Sequence, residues 1–207
     1  SDFLSVIYLL TLVLKPHNKP YTNTLASIKF QTMTKQELTS QLENAKNNYI
    51  LGLAAISIFS NKDGQKILES SNVKFGGYTV DFKQMSIILA NEDDKIIATK
   101  EFINSQIRAL IKESFELIKN YCEESNQSAL FKAKEWHQFS RMIRNCLSHN
   151  FKFMFNNYDK GILPVDWNGK EITIAMDGEN LKLEFFGYVE TWELFSSFQS
   201  FVTNELN

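Results

Sequence analysis

Few side chains in this 207-residue chain are suited to chemistry beyond that of a carboxylate. Its histidines are His17, His137 and His149, its cysteines Cys122 and Cys146, and its arginines Arg108, Arg141 and Arg144. Two of the arginines and two of the histidines crowd into one stretch, Trp136 to Asn150. From Ser128 to Lys152 the cations are Lys132, Lys134, Arg141, Arg144 and Lys152, against Glu135 alone. From Asp159 to the end there are nine acids and three lysines, so a formal charge of −2 conceals a basic segment. Guanidinium forks grip phosphate, and imidazole exchanges a proton near neutral pH. The combination suits a phosphate-bearing substrate better than a carbonyl one.

Other chemistries fall away. There is no P-loop, no dinucleotide glycine fingerprint, no nucleophile elbow and no helical zinc pair. Three histidines leave little room for a His-based metal centre, so no metal and no cofactor are expected. Two cysteines are too few for a disulfide scaffold; both lie in helix-patterned segments and read as buried, reduced thiols of a cytosolic protein. The acidic run Glu92-Asp93-Asp94 reads as a solvated loop. Phe3–Leu14 is apolar at ten of twelve positions. It falls short of the ~20 residues that span a bilayer, and reads as a buried first helix or strand.

The elements that must position these groups follow from periodicity. Thr34-Lys35-Gln36-Glu37 has capping-box form and opens a helix to about Ser60, with Leu38, Leu42, Ala45, Tyr49, Leu53 and Ile56 on one stripe. Gly64 reads as the stop that closes it. Residues 61–98 give no clear reading. A second helix follows Thr99 and ends in the polar cluster after Tyr121. A third runs from 129 to about 150, with Ala129, Ala133, Trp136, Phe139, Ile143 and Leu147 on its apolar face. The turn pairs Asn168-Gly169 and Asp177-Gly178, set between alternating runs, predict a three-stranded meander within 163–186. Helical spacing then returns from Val189 to Val202. The expected fold is mainly α: one domain over 1–207, a helical bundle of four or more helices with a small antiparallel β meander before the last.

Within the third helix, Arg144-Asn145-Cys146-Leu147-Ser148-His149 has the form Arg-Asn-x-x-x-His. It resembles the Arg-x(4–6)-His motif of the HEPN superfamily, in which a polar residue, often Asn, follows the Arg. The resemblance implies an up-and-down helical bundle with the motif in a late helix, which agrees with the layout above. It also implies a metal-independent endoribonuclease. His149 would take the proton from an RNA 2′-hydroxyl, and Arg144 would neutralise the scissile phosphate. Asn145 would orient the phosphate or the imidazole. The expected products are a 2′,3′-cyclic phosphate and a 5′-hydroxyl, with DNA left uncut for want of the 2′-hydroxyl. The superfamily further implies a toxin–antitoxin or phage-defence setting, with an antitoxin protein as a possible partner.

Helix geometry sets a condition. Five steps at ~100° leave Arg144 and His149 about 140° apart around one straight helix. Either the helix ends before His149, or two copies face each other across a two-fold axis, as HEPN proteins commonly do. A homodimer with a composite site is therefore expected. Arg141 and Lys152 read equally as RNA-backbone contacts or as solvated charges. His137 receives no role, and Phe151, Phe153, Phe155 and Tyr158 read as core or dimer contacts before base-stacking platforms. The alternative from another class is a catalytically silent HEPN-like module that binds RNA or nucleotides, or a dimeric adaptor.

Overall fold

The structure, a computed structural model, describes residues 33–207. Phe3–Leu14 and His17 lie outside the described residues. Thr34 caps α1 (Lys35–Phe59) as its sequence requires: Glu37 N–H donates to Thr34 Oγ1 at 3.2 Å and Thr34 N–H donates to Glu37 Oε2 at 2.7 Å. Two orphan amides are thereby satisfied at once. Leu38, Leu42, Tyr49 and Gly52 form the buried stripe.

Gly64 does not stop the helix. Ser60 ends it, and Gly64 lies inside the short α2 (Lys62–Glu69), pressed against the Ile58 carbonyl where a Cβ would overlap. A hairpin of β1 (Asn72–Phe75) and β2 (Tyr78–Asp81), then α3 (Lys83–Ala90), complete an arm in which only Gly64 and Leu89 are buried. Its apolar residues Ile67, Phe75, Tyr78 and Ile87 are at least half exposed. In α3 and its N-cap the inward positions Phe82, Met85, Ile88 and Leu89 share one face, but Ile87 points outward and eight residues are too few for periodicity to decide.

The next helix starts earlier than its apolar residues suggest. α4 (Glu92–Arg108) is capped by Asn91, and Glu92, Asp93 and Asp94 form its first turn rather than a loop. Three carboxylates there meet the positive end of the helix dipole. A wider π-helical turn, Ala109–Glu113, joins α4 to α5 (Ser114–Glu124). The third predicted helix is two: α6 (Ser128–Lys132) and α7 (His137–Ser148), broken between Ala133 and Trp136. After α8 (Asn157–Ile162) comes the hairpin β3 (Val165–Trp167) and β4 (Lys170–Ile172), and α9 (Tyr188–Asn204) closes the chain.

The fold is thus mainly α, with two small antiparallel two-stranded sheets between helices. The insertion before α9 is a two-stranded hairpin, not three strands. The segment 177–181 instead runs against 151–155: Phe153 N–H donates to Glu179 O at 2.9 Å and Gly178 N–H to Phe153 O at 2.8 Å. The core joins α1, α4, the π turn, α5, α7 and α9. Seven phenylalanines are essentially sealed in it, among them Phe115, Phe139 and Phe198. At roughly 2 kcal/mol of transfer free energy each, they fix α5, α7 and α9 far more firmly than the thinly buried arm. No described helix is long and apolar enough to cross a membrane.

Candidate functional site

The motif helix α7 buries His137, Phe139, Ser140, Met142, Ile143, Cys146 and Leu147, so its position is set by packing along nearly its full length. Arg141 and Arg144 flank that buried face. His149 follows as the C-cap, its backbone N–H donating to Asn145 O at 3.1 Å and Cys146 O at 3.0 Å. The helix therefore ends one residue before the histidine. Asn150 (φ 54°) and Phe151 (φ 62°) then turn the chain through two left-handed residues. Asn adopts that conformation readily, whereas for Phe it costs on the order of 1–2 kcal/mol. Burial of the Phe151 ring and a bond from Leu181 N–H to Phe151 O at 2.6 Å hold it there.

Of the three motif residues, Arg144 and Asn145 meet while His149 stands apart. Arg144 leans toward α5: its guanidinium lies 5.3 Å from the Phe115 ring centre, and its Nε lies 2.8 Å from Glu116 Oε1. The Nε–H is not aimed at that oxygen, so the contact is electrostatic rather than a hydrogen bond. Asn145 Oδ1 accepts from Arg144 Nη1 at 2.8 Å. Asn145 thus orients the arginine. The His149 imidazole is exposed and makes no hydrogen bond with a described residue. No hydrogen bond or ion pair joins Arg144 to His149 among the described residues.

The basic segment is less free than its composition suggests. Arg141 Nη2 lies 2.6 Å from Asp159 Oδ1, its Nε donates to Gln138 Oε1 at 3.0 Å, and its guanidinium stacks 5.1 Å from the Tyr158 ring centre. Asp159, 2% exposed, also accepts from Asn156 N–H. Arg141 is built into the fold as the partner of a buried acid. Lys134 Nζ is 2.6 Å from Glu205 Oε2. Three of the five cations in 128–152 therefore have carboxylate partners brought in from elsewhere in the chain. Lys152 is exposed, with its backbone bridged to Asn180.

His137 forms the floor of a small cavity of about 130 Å³, whose rim includes Lys119, Arg141 and Arg144. The ring packs edge-on to Phe131 at 4.7 Å, and its Nδ1 has no hydrogen-bond partner. Burial first, then the charges of Arg141 and Lys132, push its pKa down to about 4. It is a neutral aromatic residue of the core at pH 7. Burial pushes the thiols of Cys122 up to about 11 and Cys146 up to about 12, so neither is a nucleophile near neutral pH. Ser148 Oγ donates to the Arg144 carbonyl at 3.0 Å, a local helix bond. Among the described residues no cluster of three or more His, Cys, Asp or Glu is placed to hold a metal.

Sequence reasoning passed over Arg108. Its guanidinium lies 5.1 Å from the Phe151 ring centre, two residues past His149, and its Nε is buried without a partner. No sequence signal marks it; in the structure it adjoins the π turn, a helix distortion that often marks functional positions. No protein-family model, no curated protein and no solved structure matches this chain, so the HEPN resemblance stands on its motif and its helix layout alone.

Proposed function

We propose that the chain is a metal-independent endoribonuclease of HEPN type. His149 withdraws the proton of an RNA 2′-hydroxyl, O2′ attacks the adjacent phosphorus, and the P–O5′ bond breaks. The products are a 2′,3′-cyclic phosphate and a 5′-hydroxyl, the leaving oxygen taking a proton from water or from a protonated imidazole. Arg144, oriented by Asn145, neutralises the charge that builds on the phosphate oxygens.

The observation that carries this reading is the state of His149. An imidazole held at a sharp chain reversal, exposed and without a hydrogen-bond partner among the described residues, is available as a base. Arg144 leans toward α5 while His149 caps the helix end with no bond between them, and the resemblance implies a phosphate bound by one residue from each of two copies. The site is then composite and the protein a homodimer. A toxin or phage-defence setting, with an antitoxin protein that masks the site, belongs to the same proposal.

One contact favours a second reading. Glu116 already offsets the charge of Arg144, as suits a silent module that binds RNA or serves as an adaptor without cutting. Incubation of labelled RNA with purified protein in EDTA separates the two. The nuclease reading expects cyclic-phosphate ends that vanish in His149→Ala and Arg144→Ala while the dimer persists. RNA left whole by the wild type at high protein concentration would overturn it in favour of the silent module.

A further inference from the structure

The three arginines are held in different ways. Arg141 is paired with Asp159 and Arg144 with Glu116, while Arg108 has no carboxylate partner among the described residues. It lies in the wall of an open cleft of about 590 Å³ between α4 and the segment Asn180–Glu184. Lys100 and Lys182 line the same cleft, both exposed and neither in an ion pair with a described residue. Two carboxylates, Glu101 and Glu184, also border it, leaving one net positive charge. Asn104, Asn150 and Asn180 add amides that both donate and accept.

The cleft adjoins the motif. Asn150 and Phe151 form part of its wall, so it begins at the residue after His149. Lys152, exposed and unpaired among the described residues, is bridged through its backbone to Asn180, which lines the same cleft. Phe151 is held in its left-handed conformation beneath the Arg108 guanidinium. The contact places the guanidinium over the Phe151 ring face, with Nε buried and without a partner, and holding it there lowers the entropy lost when it binds phosphate.

We infer that this cleft binds the sugar–phosphate backbone of single-stranded RNA through Arg108, Lys100 and Lys182 and leads the strand past His149. A recess with amides at its wall suits splayed bases better than a duplex, whose phosphates lie on a convex surface. The inference takes the identity of the strand from the ribonuclease reading. The site itself follows from Arg108, Lys100 and Lys182 meeting in one cleft that keeps a net positive charge.

The test is a fluorescence-anisotropy titration of the full chain with a labelled single-stranded 2′-O-methyl RNA, which lacks the free hydroxyl and stays whole. Arg108→Gln is expected to weaken binding about tenfold and Lys182→Gln about threefold, each lowering the salt slope by about one. Lys74→Gln, in β1 and outside the cleft, is expected to leave affinity unchanged. Should Arg108→Gln melt early, the exposed pair Lys100→Gln and Lys182→Gln together carries the test. Wild-type affinity in the cleft variants, an equal loss in Lys74→Gln, or no binding by the wild type would overturn the inference. A wild type that binds through Arg108 yet leaves ordinary RNA intact would keep the cleft and remove the nuclease reading. Undiminished cleavage by Arg108→Gln would remove the cleft and keep the nuclease.

Discussion

Arg144 Nε lies 2.8 Å from Glu116 Oε1, so the cation best placed in sequence to meet a phosphate meets a carboxylate in the fold. Both groups are part-exposed, and water weakens their attraction. Glu116→Gln therefore costs less than ~1 kcal/mol of stability and leaves Arg144 oriented by Asn145. RNA affinity is expected to rise by about threefold, with a steeper salt dependence, as read by filter binding. Unchanged affinity would place the phosphate elsewhere than on Arg144.

Arg141 calls for the opposite result. Its partner Asp159 is sealed from solvent, and removing one member of a buried pair leaves the other charge stranded. Arg141→Ala is expected to lower unfolding free energy by about 3 kcal/mol, measured by urea denaturation. RNA cleavage per folded molecule is expected to stay near wild type.

His137 makes stability depend on pH. Its folded pKa of about 4 lies below the ordinary histidine value of 6.5, so the unfolded chain binds the proton more tightly. The stabilisation from keeping the ring neutral is complete above pH 6.5 and is lost as pH falls toward 4. The slope is at most ~1.4 kcal/mol per pH unit. Phe fits the same aromatic surroundings without titrating. In His137→Phe the urea midpoint is expected to fall less steeply over this window, and a slope equal to that of wild type would count against the assignment.

Gly64 tests the arm. A Cβ there overlaps the Ile58 carbonyl oxygen, a backbone atom with little room to move. Gly64→Ala is expected to destabilise by roughly 2 kcal/mol despite alanine's better helix propensity. Hydrogen exchange would register the loss in residues 61–90 before the bundle, because few apolar contacts tie that arm to the core.

The bundle was legible where a helix states its own ends and faces one core. Thr34 and Glu37 sit three residues apart, and α9 repeats large apolar residues at steps of three and four. The break between α6 and α7 was not legible, because Ala133 and Trp136 continue the apolar spacing without a Gly or Pro. The third strand failed for a tertiary reason: Glu179 and Leu181 bond to the chain after His149 instead of to the hairpin. At the site, the types Arg, Asn and His were readable from six consecutive residues. Their partners were not, since Glu116 is 28 positions from Arg144 and Asp159 is 18 from Arg141. Arg108 stood alone in its own helix with nothing nearby in sequence to mark it.

The π turn between α4 and α5 carries a consequence for descent. Deleting one residue from Ala109–Glu113 would let the helix run on as ordinary α and swing α4 by about 100° about its axis relative to α5. Ile103 and Ile107 would leave the core, and Arg108 would rotate away from Phe151. The extra residue is an angular shim. A relative that lost it would align with this chain only across a gap inside a helix, and would inherit the bundle without the cleft.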